Sequence, residues 1–110
     1  MGGRVPKFLF QVNFSKSADQ GLLKDGGSKR RAVIAKTAKA AGGKLESFYF
    51  AFGTYDGVVI MDLPDNMTAA SISLAIGASG AGEQVTTPLL TAEEIDQAVK
   101  KHVDYKAPGN

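Results

Sequence analysis

KLESFYFAFGTYDGVVIMDLP, residues 44–64, contains two β-rich runs separated by a glycine-containing turn. In the first run, Phe48, Phe50 and Phe52 fall at every second position, so an extended strand would place all three rings on one face. Residues 53–57 then supply glycines and an aspartate, which allow the chain to reverse direction. A second run of β-branched and apolar residues follows. The stretch therefore predicts an antiparallel hairpin.

Further strands and helices are predicted on both sides of the hairpin. Residues 4–15 alternate between apolar and polar positions and predict a first strand, while residues 83–90 predict a fourth. Residues 29–41 and residues 67–78 are rich in alanine and predict one helix before and one after the hairpin. Residues 17–27 are rich in turn formers and predict a loop with at most one helical turn.

Side chains that can cap helices mark the predicted helix starts. Ser28 precedes the first helix, and Asp65 or Asn66 precedes the second. Thr91 precedes a final helix that should run to about Val103. The order βαββαβ with this appended helix predicts an α+β, ferredoxin-like fold with a four-stranded antiparallel sheet and an extra C-terminal helix.

Length and composition favour a single soluble domain. A chain of 110 residues with 44% hydrophobic content can bury one core, which we expect over residues 4–103, with flexible tails at residues 1–3 and 104–110. The sequence has no stretch of about 18 apolar residues, so no membrane span is predicted. It has no cysteine, which excludes disulfides and thiolate metal sites. We therefore expect a cytoplasmic protein.

One face of the predicted sheet should lack a covering helix, because right-handed crossovers place both main helices on the other face. Strand alternation puts Leu9, Leu45, Tyr49 and Ala51 on the uncovered face, and an exposed apolar patch of this kind is unusual in a monomer. The helix from Met67 to Ala78 (residues 67–78) also carries no charged residue. We therefore expect a homodimer or higher oligomer that forms through the sheet face and this helix.

The charge is distributed unevenly along the chain. Residues 1–45 carry ten basic and two acidic side chains, a net charge of +8, whereas residues 46–110 carry three basic and nine acidic ones, a net charge of −6. The basic half either forms a surface for nucleic acid or an anionic ligand, or it complements the acidic half within or between subunits. The overall charge of only +2 favours the second interpretation and argues against a nucleic-acid partner.

Three short motifs resemble the GYD domain family. They are GKLESFY at residues 43–49, GTYD at residues 53–56 and AIGASG at residues 75–80. Where the family often has Gly-Tyr-Asp, this sequence has Thr54 before Tyr55 and Asp56. The resemblance extends over roughly residues 5–100 and implies a ferredoxin-like fold of the dimeric α/β-barrel kind. It implies no established catalytic residues.

Five residues are candidates for ligand contacts, and each has a structural alternative. Tyr55 and Asp56 would suit proton transfer at the mouth of a cleft, or Asp56 caps the turn and Tyr55 packs over it. Tyr49 faces either a ligand or a dimer interface. Lys29 and Arg30 place cations at a helix start, where they bind an anion or are simply solvated.

The predicted function is a non-catalytic module that binds a small ligand or a partner in the groove between sheet and helices. The alternative is a cofactor-independent enzyme, an isomerase or monooxygenase, by fold-level analogy. His102 is the only histidine, which excludes a multi-histidine metal site within one subunit, and no metal or cofactor is predicted. A closed pocket lined by Tyr49, Tyr55 and Asp56 would favour the enzyme.

Overall fold

Four antiparallel strands form a single sheet in the computed structural model, which describes residues 5–110. The predicted N-terminal tail, residues 1–3, lies outside the described residues. The strands are β1 (Lys7–Phe14), β2 (Lys44–Phe50), β3 (Gly57–Asp62) and β4 (Gly82–Leu89). Their order across the sheet is β2-β3-β1-β4, and every neighbouring pair is antiparallel. The predicted ferredoxin-like α+β fold is confirmed, and β2 and β3 form the expected hairpin.

Four helices accompany the sheet. They are α1 (Lys16–Asp25), α2 (Gly27–Ala40), α3 (Asn66–Ala78) and α4 (Ala92–Ala98). The last three correspond to the predicted helices. Helix α1 lies where a loop was predicted, so that prediction was wrong. Within residues 5–110, no helix has the length and apolar content needed to cross a bilayer.

The unexpected helix α1 begins and ends with recognisable signals. The side chain of Ser15 accepts a hydrogen bond from the Ala18 backbone N–H, and Gly26 at the C-terminal end adopts a positive φ of 81°. Asp19 in the first turn and Lys24 in the last turn both match the helix dipole. These terminal interactions outweigh the cost of about 1 kcal/mol for a glycine such as Gly21 in a helix interior.

The core lies between one face of the sheet and helices α2 and α3. Phe8, Phe10 and Met61 come from the two central strands and are almost completely buried. Ile34 and Ala38 from α2 pack against them, together with residues of α3. The alternation of buried and half-buried positions along β1 shows that only one face of the sheet belongs to this core.

A β-bulge in β2 moves Leu45 to the core side of the sheet. The register with β3 shifts between Leu45 and Ser47, so Leu45 pairs with Met61, whereas Ser47 pairs with Ile60 on the opposite face. Leu45 packs against the buried core. Its predicted position on the uncovered face was therefore wrong, because one extra residue in a strand reverses the facing of all residues beyond it.

The predicted row of three phenylalanines contains only two members. Phe48 and Phe50 lie on the core side of β2, with ring centroids 5.1 Å apart. Strand β2 ends at Phe50, and Phe52 lies in the connection to β3 with its side chain fully exposed. The alternation of aromatic residues continued past the point where pairing with β3 stops.

Helix α2 starts earlier than predicted and ends as expected. Gly26 occupies the N-cap position without a side-chain hydrogen bond, so Ser28 lies inside the helix and is not its cap. At the C-terminal end, the N–H groups of Gly42 and Gly43 donate to the carbonyl groups of Lys39 and Ala38. Gly42 has a φ of 85°, and the arrangement is a Schellman motif.

Asp65 caps helix α3, as predicted. Its carboxylate accepts hydrogen bonds from the backbone N–H and the side-chain hydroxyl of Thr68, at 2.8 and 2.7 Å. These bonds favour the ionised form and lower the pKa of Asp65 below its usual value of 3.8. The cap therefore works best when the carboxyl group is charged.

Helix α4 begins at the predicted cap but is shorter than predicted. Thr91 and Glu94 form a capping box, and the helix ends at Ala98 rather than near Val103. His102 thus lies in an irregular segment beyond the helix. None of the residues in α4 is buried. A helix this short gains little stability without a packing partner, which explains its early end.

The sheet surface opposite the helices, here called the open face, carries both apolar and polar side chains. Tyr49 is 69% exposed and Val85 is 46% exposed. Leu9, Val58 and Ile60 are half-buried between them on the central strands. At one end of this face, Lys7 donates hydrogen bonds to Asp62 and Glu46, and these acceptors raise the pKa of Lys7.

Candidate ligand-binding site

A cavity of about 330 Å³ lies between the helix-covered side of the sheet and helices α1 and α2. Its floor is formed by side chains of β1, β2 and β3. The aromatic members of this floor are Phe10, Phe14, Phe48 and Phe50. The volume falls in the range of small-molecule sites in proteins, which starts at roughly 300 Å³.

The walls of the cavity come from three helices. Ala18 and Leu22 line it from α1, and Val33 and Ile34 line it from α2. Ile76 closes it from the C-terminal half of α3. Because α1 forms one of these walls, the cavity depends on the position of this helix beside the sheet.

Two glycines leave room for the aromatic rings of the floor. A Cβ atom on Gly27 would lie 2.9 Å from the Phe50 ring, so only glycine lets α2 approach this ring so closely. A Cβ atom on Gly57 would lie 3.3 Å from the Phe14 ring. The Phe14 and Phe50 rings meet edge to face, with centroids 6.1 Å apart. The aromatic floor is therefore fixed by the backbone next to it.

The charged groups on the cavity wall cluster at the junction of α1 and α2. Among the described residues they are Asp25, Lys29 and Arg30. The ammonium group of Lys29 lies 3.5 Å from the Asp25 carboxylate, and both side chains are largely exposed. The remaining lining residues are apolar or small and include two serines, Ser17 and Ser79, so one end of the cavity carries a net positive charge and the rest is mainly apolar. The two predicted anion-binding candidates both lie at this cationic end.

Asp56 connects the β2–β3 turn to strand β1. Its carboxylate accepts a hydrogen bond of 2.9 Å from the backbone N–H of Phe14, and its own N–H donates to the carbonyl group of Val12 at 2.9 Å. Its carbonyl group accepts from the N–H of Ala51 at 2.8 Å. The side chain thus continues the hydrogen-bond ladder of the sheet where the backbone turns away.

Tyr49, Tyr55 and Asp56 do not line the cavity. Tyr49 lies on the open face, opposite Val58 of β3. Tyr55 is half-buried beside Asp56 in the connection between β2 and β3. The structure therefore separates the predicted candidates into three places: the cationic end of the cavity, the hairpin turn and the open face.

No cluster of potential metal ligands occurs within residues 5–110: no three histidine, aspartate or glutamate side chains lie close enough together to hold an ion. The acidic side chains of the hairpin and of the sheet edge are used in hydrogen bonds, such as those of Asp56 and Asp62.

Comparison with models of known protein families identifies the family of this chain. The model of the GYD domain matches residues 8–99, which covers all four strands up to the end of α4. The chain belongs to the GYD domain family. Neither the curated proteins nor the solved structures contain a significant match to it.

The tripeptide Thr54-Tyr55-Asp56 stands where members of this family often have Gly-Tyr-Asp. The backbone of this connection has no residue with a positive φ, so Thr54 takes the place of a glycine without backbone strain. Asp56 contributes the hydrogen bonds that hold the GYD turn against β1. In this GYD domain the motif therefore has a clear structural role.

The residues that line most of the cavity were not predicted as site residues. Phe14 and Phe50 were interpreted as core positions, and Ala18 and Leu22 were placed in a loop. A signal for the α1 wall is present in the sequence: Ser15 as a cap, followed by Leu22 about two turns later. Recognition of α1 would have placed a groove beside the aromatic strand.

Proposed function

We propose that this GYD domain is a non-catalytic, oligomeric module that binds a small ligand in the cavity between the sheet and helices α1 and α2. The observation that carries the proposal is the cavity itself, with an aromatic floor and cations at one end. A concave apolar site with few, localised polar groups is typical of small-molecule binding.

The composition of the cavity wall supports binding rather than catalysis. An enzyme of the isomerase or monooxygenase kind needs acid–base groups that face the substrate. Asp25 is the only carboxylate on the wall among the described residues, and it lies beside Lys29. Tyr55 and Asp56, the candidates for proton transfer, lie in the connection between β2 and β3 and do not line the cavity.

A variant that fills the cavity tests this proposal. Ala18 is half-buried on the cavity wall of α1, whereas Gln20 is exposed on the same helix and does not line the cavity. We expect Ala18→Phe to abolish the thermal stabilisation by ligands found in a metabolite screen, because a ligand raises the melting temperature only when it binds the folded state. Gln20→Phe should leave it unchanged. If the ligands found in the screen raise the melting temperature of Ala18→Phe as much as that of the wild type, the cavity is not their binding site.

The open face is the proposed interface with a second copy. It exposes Tyr49 and Val85, and the outer side of α3 exposes Met67 and Leu74, at 79% and 74%. Two identical sheets that pack face to face about 10 Å apart would cover the first pair. An isologous contact of this kind uses the same surface on both subunits, so one apolar face is sufficient.

Two charge substitutions test whether the open face alone forms the interface or whether α3 also contributes to it. Ile60 lies on the open face of a central strand, and Leu74 lies on α3. In light scattering at micromolar concentration, we expect a dimer that Ile60→Lys converts to a monomer and that Leu74→Lys leaves intact. If Leu74→Lys also lowers the mass, α3 forms a second interface. A wild-type monomer would refute the proposed assembly.

A further inference from the structure

The two ends of the cavity differ in chemistry. The floor and most of the walls are apolar, and on the floor the Phe50 ring of β2 contacts the rings of both Phe14 and Phe48. Charged atoms occur only at the α1–α2 junction among the described residues. A ligand that fills the cavity therefore meets an apolar surface along its length and charges at one end.

The charge at this end is positive. Lys29 and Arg30 outnumber Asp25 by one. Within residues 5–110, Arg30 has no ion pair, whereas Lys29 lies 3.5 Å from Asp25. This pair is exposed and held only by water-screened attraction, so it competes weakly with a ligand. The guanidinium group of Arg30 is thus the charge best placed to receive an anion.

We propose that the ligand is a small amphipathic carboxylate, with its apolar body on the phenylalanine floor and its carboxylate on Arg30. The proposal rests on the proposed function and specifies its ligand class. A guanidinium group presents a planar pair of donors that matches the two oxygens of a carboxylate. The ligand and the cavity are therefore complementary in both polarity and charge.

The cavity volume sets the size of this ligand. A volume of about 330 Å³ lies at the lower end of the range for small-molecule sites, which favours a compact ligand. A compound with about ten non-hydrogen atoms, such as octanoate, fills this space. A nucleotide or other polyanion needs many donors for its sugar and phosphates, whereas the side-chain donors on the cavity wall are limited to Ser17, Lys29, Arg30 and Ser79 among the described residues.

The test uses matched pairs of probes and matched variants. Octanoate and 2-naphthoate are the anionic probes, and 1-octanol and 2-naphthalenemethanol are their neutral counterparts. Binding is measured by titration calorimetry with the full chain. We expect at least one anion to bind about tenfold or more tightly than its neutral counterpart, which is the effect of one charge-assisted hydrogen bond.

Arg30 and Arg31 provide the matched variants. Both are exposed on α2, but only Arg30 lines the cavity. Arg30→Gln should weaken the anion about tenfold and leave the neutral probe unchanged. Arg31→Gln should change neither, since its charge lies off the cavity wall.

Each other outcome overturns a defined part of the proposal. If neutral and anionic probes bind equally, or if Arg31→Gln weakens the anion as much as Arg30→Gln, the carboxylate class is wrong while the cavity stays a binding site. If no anion binds but a neutral probe does, and Ala18→Phe abolishes that binding, the class is again wrong. If none of the four probes binds, both the class and the proposed use of the cavity fail for ligands of this size.

Discussion

Removal of the Asp56 side chain should destabilise the fold without affecting the cavity. Asp56→Ala deletes the acceptor of the 2.9 Å bond from the Phe14 N–H and leaves this donor unpaired at the end of β1. A hydrogen bond to a charged group contributes about 1.5–3 kcal/mol, and the half-buried position of Asp56 reduces this to about 1–2 kcal/mol. Asp56→Asn keeps an acceptor oxygen and should cost less than about 1 kcal/mol.

Thermal unfolding measures this effect. For 110 residues, the unfolding entropy is about 0.23 kcal/mol per kelvin, so Asp56→Ala should lower the Tm by about 4–9 °C. Asp104→Ala, a carboxylate in the exposed C-terminal segment, is the control and should leave the Tm unchanged. An unchanged Tm for Asp56→Ala would refute the structural role. Loss of ligand affinity in a fully folded Asp56→Asn variant would show instead that the hairpin turn belongs to the binding site.

Two further predictions concern the packing and the pH dependence. A Cβ on Gly43 would lie 1.9 Å from the Asp62 carbonyl oxygen, so Gly43→Ala should lower the free energy of unfolding in urea by about 3 kcal/mol or more. As a control, Gly77→Ala meets no atom within 4 Å and should raise it by about 0.5–1 kcal/mol. Similar effects of both substitutions would contradict the close contact at Gly43. The pKa of Asp65 is lowered by Thr68, so its contribution to stability is present above the unfolded pKa and is lost as the pH falls through the folded one. As the pH falls below about 4, Asp65→Asn should therefore lose less stability than the wild type, and parallel losses would rule this out.

The strands and three of the four helices could be predicted because their signals are local and repeated. Alternation along residues 7–14 and 57–62 reports the buried face directly, and the cap at Asp65 marks the start of α3. The glycine pair after α2 forms the predicted left-handed end. Where hydrophobic periodicity and end signals agree, sequence and structure agree.

Helix α1 could not be predicted in the same way, because its local signals conflict. Gly21, Gly26 and two aspartates indicate a turn, while Ser15 indicates a helix start. None of the residues of α1 is buried, so the helix did not need an apolar stripe that the sequence would have shown. Only its position beside β1 shows that Leu22 faces a cavity, and that position is a property of the whole fold.

The facing of β2 could not be read from alternation alone. A bulge changes the facing of one segment without changing the composition, so Leu45 and Tyr49 have the same parity but lie on opposite faces. The open face therefore lacks Leu45, and its large aliphatic side chains are those of Leu9, Val58, Ile60 and Val85.

Helix α1 is only weakly packed, so its stability depends on what the cavity beside it contains. The helix buries none of its residues, so its own capping bonds and its limited contact with α2 and β1 hold it in place. Elements of this kind belong to the least stable part of a fold. A ligand in the cavity would cover Ala18 and Leu22 and give α1 the apolar contact that it lacks, so binding and the ordering of this helix favour each other.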